Sequence, residues 1–320
     1  MKRIFLLAVL ALWSSVASAD DKVTLRLNWL VYGFHMPFHL GIEKGFYRQN
    51  GIDLTVGDGQ GSGRAVQVVA AGSDEFGLSD GTSIIGGASR GAPVRAVMGI
   101  MNRSPFAVLV RRDSGITDFK GLTGKTLAGT TGEAGLAVWP ALMRANGMAP
   151  DAVRFLRVDG AAKLVATLEN QVPGMLGGVE NQALILETKG VPVRALAYSD
   201  FGVNTIGLAI HTTTDRIKNN PDLVKRFIKA TRMSYEAAMA DPNAAIAAGL
   251  KAKPDLERSL SLAQLKAGLT LVKGPDGTDK PVGWMSAKDW DGTLALMKEF
   301  QDLKTDLPAA SFWTNDLLPQ

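Results

Sequence analysis

The sequence contains no cysteine. That excludes disulfides, thiolate chemistry, cysteine-ligated zinc and iron–sulfur clusters. It also leaves no thiol for lipid attachment. Histidine is scarce, with only His35, His39 and His211, which limits metal sites and serine–histidine chemistry. Neither sign of charge dominates: 35 Lys and Arg face 31 Asp and Glu, a net +4. The charges are scattered, so no nucleic-acid partner and no polybasic membrane patch is expected. Low-complexity segments and fixed-period repeats are missing too. Without covalent staples the fold must rest on its core, and roughly 300 residues suffice for one or two lobes.

What is present begins with an address. Met1-Lys2-Arg3 is a positive start, Ile4 to Trp13 a short apolar run, and Ala17-Ser18-Ala19 an A-x-A cleavage signal. The apolar run is too short to span a bilayer, so residues 1–19 read as a cleaved export leader. Removing Lys2 and Arg3 takes the charge from +4 to +2. A periplasmic protein, soluble after cleavage, is the expectation.

From Val23 to Tyr198 short β-like runs alternate with helix-like runs, which predicts α/β architecture with mostly parallel sheets flanked by helices. VTLRLNW (23–29), IDLTV (52–56), EFGLS (75–79), VRAVMGI (94–100) and FAVLVRR (106–112) read as strands. The alternation restarts at KTLAG (125–129), and TIGLAIHT (205–212) is a later strand. Beyond it the chain turns helical. In 221–240, Leu223, Val224, Phe227, Ile228, Thr231 and Tyr235 share one face, behind a helix-starting Pro221. Two lobes follow: 20–109 with 206–320, and 110–205, joined by two crossings near Val110 and Asn204. A double crossing permits hinge closure on a ligand.

GLSDG (77–81) matches the G-x-S-x-G elbow of serine hydrolases. That chemistry needs an acid and then a histidine downstream, and only His211 follows Ser79. The preferred reading places Ser79, Asp80 and Thr82 at the carboxyl end of a strand, where open α/β sheets bind ligands. VGDGQGSGRA (56–65) fails the dinucleotide and P-loop spacings in every register. His35 and His39 are four apart, but Pro37 occupies the first helical turn and leaves His35 in a loop, so no metal is expected.

The loop NWLVYGFH (28–35) carries Trp29, Tyr32, Phe34 and His35. Such rings can stack on a flat ligand and bond to its edge, and they can equally close the edge of a core. GTTGEAG (129–135) turns a strand into a helix with Thr130 and Thr131; free N–H groups there can take an anion, or Thr131 can be a plain cap. GMLGGVENQ (174–182) brings Glu180 and Asn181 to another strand end. Asn28 and Asn204 complete the candidate ligand-binding set.

Four stretches carry a resemblance. GIEKGFYRQNGIDLTV (41–56), DEFGLSDGTS (74–83), LTGKTLAG (122–129) and FWTNDLLP (312–319) occur in order along the chain. Together they resemble the type II periplasmic solute-binding proteins of ABC importers, in the branch for nitrate, sulfonates, taurine and thiamine-pyrimidine precursors. The resemblance implies a two-lobed fold, closure on one small molecule, and delivery to the transmembrane subunits of a permease. It implies a monomer, no cofactor and no enzymatic activity, since the cysteine-rich motif of the pyrimidine-making branch is missing. Pyrimidine binders of this branch carry Gly-Gly-aromatic-x-Asn followed by Glu; here Val179 replaces the aromatic and Ala183 the Glu. The Trp29–Tyr32–Phe34 loop leans toward an aromatic or heteroaromatic solute. The rival expectations are a secreted hydrolase using Ser79 and a periplasmic ligand-sensing module.

Overall fold

A computed structural model of the chain describes residues 20–319; the expected leader at 1–19 lies outside the described residues. Ten strands are present among them: β1 (Asp21–Arg26), β2 (Ile52–Gly57), β3 (Phe76–Asp80), β4 (Val94–Gly99), β5 (Phe106–Arg111), β6 (Thr126–Gly129), β7 (Arg154–Arg157), β8 (Gly174–Gly178), β9 (Val193–Ala197) and β10 (Leu208–Thr213). They form two five-stranded sheets, ordered β2-β1-β3-β10-β4 and β7-β6-β8-β5-β9. β10 is antiparallel to both its neighbours, as is β5 in the second sheet. The remaining pairs are parallel, so each sheet has one opposed strand. Helices cover both faces, which is why β3 is buried at every position.

This is the two-lobed type II periplasmic-binding-protein fold. One boundary moves. β5 pairs with β8 and β9 along its whole length, so it belongs to the second sheet, and the first crossing runs through 100–105 rather than near Val110. The reason is the register: Phe106 already faces Gly178. The return crossing follows the turn Tyr198–Phe201 and reaches β10 at Leu208.

The first helix, Met36–Glu43, ends where Gly45 takes φ 73°, a left-handed conformation open to glycine. The helix Pro221–Ala240 buries the apolar face read from its sequence, including Phe227 and Tyr235 at 0 % exposure. Phe227 stacks on Phe76 of β3, ring centroids 3.9 Å apart. The C-terminal tail covers the β4 edge: Ala96 N–H donates to the Phe312 carbonyl and Thr314 N–H to the Ala96 carbonyl, both at 2.9 Å. No helix among the described residues is long and apolar enough to cross a membrane.

Candidate functional site

A cavity of about 60 Å³ lies between the two sheets' lobes. At roughly 30 Å³ of liquid volume per water that is about two waters, well short of the roughly 150 Å³ that takes a benzene ring, so a ring enters only if the lobes part. Trp29, Tyr32 and Phe106 supply its aromatic wall, and Asn28, Ser62, Asn181 and Gln182 border it with polar groups. Two carboxyl side chains and one ammonium also reach it: Glu133, Glu180 and Lys163.

The first-lobe wall is the loop after β1, and His35 fixes it. His35 is fully buried, and its pKa falls to about 3, first through burial and then through the charge of His39. The ring is therefore neutral. Its Nδ1 accepts from the Tyr32 N–H at 3.4 Å, so Nε2–H donates to Asn28 Oδ1 at 3.0 Å. One neutral imidazole thereby holds both Asn28 and the Tyr32 backbone.

The second-lobe wall begins at the carboxyl end of β8. Glu180 is 4 % exposed. The Tyr32 O–H donates to its Oε1 at 2.9 Å, a hydrogen bond across the cleft. Burial raises the Glu180 carboxyl to about 7, opposed by its own backbone N–H and the Tyr32 hydroxyl. Burial and the Glu180 charge in turn push the Tyr32 phenol well up. Gln264, from the helix Arg258–Leu269, makes a second bridge. It accepts from Gly33 N–H at 3.1 Å and donates to Asn181 Oδ1 at 2.8 Å.

The outer end is closed by Trp29 against the helix Gly160–Leu168. A Cβ on Gly160 would sit 2.8 Å from Trp29 Cζ2, so the ring packs directly on the glycine. The Lys163 ammonium lies 4.7 Å from the centroid of the same ring, a cation–π contact. Lys163 is wholly buried and ion-paired with Glu133. Glu133 also accepts from Thr130 N–H at 2.8 Å. Burial raises the Glu133 carboxyl, and the Lys163 ammonium opposes that.

Of the residues expected from sequence, Asn28, Trp29, Tyr32, Glu180 and Asn181 border this cavity. His35 stands behind it. Ser79, Asp80 and Thr82 are not among the residues that border it. Asp80 caps the helix Gly81–Ser89, accepting from Ser83 N–H at 3.0 Å and from the Thr82 hydroxyl. Ser79 donates to the Ser62 carbonyl at 3.1 Å, and Asp80 N–H donates to Ser62 Oγ at 3.2 Å. The turn therefore props up Ser62, which does border the cavity. Thr130 and Thr131 line an outer groove shared with Trp29 and Arg157, and Asn204 lines a groove on the crossing side with Asn102.

The hydrolase reading loses its geometry. Ser79 Oγ does lie 3.0 Å from His211 Nε2. Both residues are 0 % exposed, and His211 Nδ1 has no hydrogen-bond partner among the described residues, so no acid orients the ring. Burial alone lowers His211 to about 3.

Sequence reasoning missed Lys163, Glu133, Phe106 and Gln264. One signal existed: Lys163 lies on the buried face of its helix with Ala166 and Thr167, an unusual place for a lysine without a partner.

The chain matches the model described as NMT1/THI5 like over residues 33–245, and it belongs to that family. It is 25 % identical over 308 residues to the riboflavin-binding protein RibY of Chloroflexus aurantiacus, covering 93 % of this chain and 86 % of that one. It is 27 % identical over 259 residues to a 4-amino-5-hydroxymethyl-2-methylpyrimidine phosphate synthase of Saccharomyces cerevisiae, covering 77 % and 75 %. In fold it is similar to the alkanesulfonate-binding protein SsuA of Xanthomonas axonopodis pv. citri bound to MOPS, with TM-score 0.72, 15 % identity, and 93 % and 99 % of the two chains covered.

The expectation of no enzymatic activity is corrected here. A relative spanning three quarters of its own length with this chain bears an enzyme's name. A missing cysteine motif excludes only the chemistry that motif performs, and the exclusion was drawn too widely.

Proposed function

We propose that the protein binds a small, flat, aromatic or heteroaromatic solute between its lobes, residues 20–105 with 206–320 and residues 106–205. In this reading it is an exported, monomeric periplasmic component that hands the solute to the transmembrane subunits of an ABC permease. The observation that carries the reading is the cavity itself. Trp29 and Tyr32 from one lobe meet Phe106, Glu180 and Asn181 from the other around a small enclosed space. The names of its relatives support a heteroaromatic ligand, since one is a riboflavin binder and another a pyrimidine phosphate synthase. A single ring requires the lobes to part further than they do here, and a three-ring flavin further still. Closure follows from differential affinity: a ligand contacting both lobes favours the closed state by whatever it gains there.

Native mass spectrometry of freshly purified protein, followed by a thermal-shift screen of heterocycles, tests the reading. A co-purifying ring compound that raises the melting temperature supports it. Protein that carries nothing and responds to no flat solute sinks it.

The synthase relatives favour a second reading, in which the same cavity forms a pyrimidine phosphate. Its assay is the appearance of a phosphorylated pyrimidine, by mass, in a reaction containing the purified chain. A sensing role differs from transport only in the receptor partner, and loss of solute uptake on deletion separates the two.

A further inference from the structure

The cavity's charges do not balance. Glu133 is matched by Lys163 and bonded by the Thr130 N–H. Glu180 has no ion-pair partner among the described residues. Its Oε1 accepts from Tyr32, while Oε2 is buried and has no hydrogen-bond partner among the described residues. A carboxylate oxygen left in this state is costly unless something donates to it.

The local backbone is shaped to put the carboxylate there. It folds back over Gly178: a Cβ at that position would lie 2.3 Å from Oε2 and 2.8 Å from Oε1. Gly178 N–H is held by Gln182 Oε1 at 2.8 Å, which fixes the turn that carries Glu180. The acid is thus built into the cavity wall beside Tyr32.

We propose that Glu180 selects a ligand presenting an N–H donor to Oε2, best on a weakly basic nitrogen heterocycle or an amidine, and rejects anions of the same shape. This rests on the cavity being the solute site. The polarity is opposite to that of a sulfonate or nitrate site. An anion would lie against an acid with no counter-ion among the described residues, and Lys163 is already engaged by Glu133 and Trp29. A weakly basic N–H group can share its proton with a carboxyl already raised toward neutrality by burial.

Three single-ring probes of one shape test the selectivity on the mature chain by titration calorimetry at pH 8: benzamidine, benzamide and benzoate. The expected order is benzamidine, then benzamide, with benzoate weaker than benzamidine by at least roughly 100-fold. Glu180→Gln keeps the shape and an acceptor for Tyr32. It should cut benzamidine affinity by roughly 10- to 100-fold, the range of one charge-assisted hydrogen bond, and change benzamide by only a few-fold. Benzoate binding as tightly as benzamidine, or an unchanged benzamidine affinity in Glu180→Gln, overturns the proposal. If all three bind equally, the cavity reading stands and the selectivity falls. If none binds, the cavity reading falls and takes the selectivity with it. The wild-type series needs no variant, so the proposal is tested even if Glu180→Gln folds poorly.

Discussion

Replacing Lys163 by Met removes a charge from a buried pair and leaves its partner in place. The methionine keeps the side-chain length and an apolar stem against Trp29. Glu133 then faces the interior without a counter-ion, with only the Thr130 N–H on one oxygen. Both side chains are nearly inaccessible, 1 % and 9 % exposed, so solvent screening does little to soften the loss. Breaking such a pair from one side costs about 3–5 kcal/mol. For a cooperative unit of 150–250 residues that is a fall of roughly 6–20 °C in melting temperature.

The cost has a pH signature. Burial already raises Glu133 above its ordinary value of 4.5, and losing Lys163 removes the opposing pull. A carboxyl raised in the folded state destabilises it only where the unfolded group is ionised. The deficit of Lys163→Met is therefore absent below about pH 4.5, grows as pH rises toward the folded pKa, and is complete above it. The double variant Lys163→Met with Glu133→Gln removes the stranded charge and should regain most of the loss. Thermal unfolding of the wild type, the two variants and Glu133→Gln alone between pH 4 and pH 8 measures this. A pH-independent deficit, or a double variant no more stable than Lys163→Met, refutes the buried-pair reasoning.

Trp29→Ala removes the ring that packs on Gly160 and Lys163, and calorimetric affinity for a cavity ligand should fall at least roughly 10-fold with circular dichroism unchanged, given what one aromatic face contributes. Glu180→Gln should stabilise the free protein at pH 8 by about 3 kcal/mol at most, from a folded pKa of about 7 against 4.5. That gain should shrink as pH falls through 7 and vanish below about pH 4, where the folded and unfolded carboxyls are both largely protonated; an equal gain at pH 8 and below pH 4 argues against it. The other charged groups at this cavity are Glu133 and Lys163, which offset each other, and Tyr32, which is neutral throughout that range. Gly178→Ala drives a methyl into the Glu180 carboxylate, so affinity for benzamidine should drop at least as far as in Glu180→Gln; retained affinity means the carboxylate is not the contact.

The lobes were readable because their strands and helices follow simple periods. The 221–240 helix buries the stripe its spacing predicts, and the loop after β1 reaches the cavity because Trp29 and Tyr32 follow a strand end. Phe106 was harder. It opens a strand that reads as a continuation of the first block, and only its pairing with Gly178 across the second sheet brings it to the site. Gln264 sits 231 residues from the Gly33 it bonds, a contact no local pattern encodes. Lys163 and Glu133 are 30 residues apart and meet because a helix start and a strand-to-helix turn share one end of a sheet.

The GLSDG turn shows how a motif can be right about place and wrong about depth. Its residues do gather at the carboxyl end of β3, and Ser79 does meet the one histidine that follows it. What separates a nucleophile from a scaffold is access, and access depends on what lies over the turn. Here that is Ser62, whose carbonyl and hydroxyl take the Ser79 O–H and the Asp80 N–H. Ser62 opens the helix Ser62–Ala70 directly after the Gly-rich loop, so the stretch 56–65 that failed as a nucleotide motif is the layer between GLSDG and the cavity. If that is its role, Ser79→Ala should leave any cavity binding nearly intact. It should cost about 1–3 kcal/mol of stability, the price of leaving the Ser62 carbonyl and His211 unsatisfied in the interior. Labelling of Ser79 by a fluorophosphonate would show that the layer opens and that the buried placement does not hold in solution.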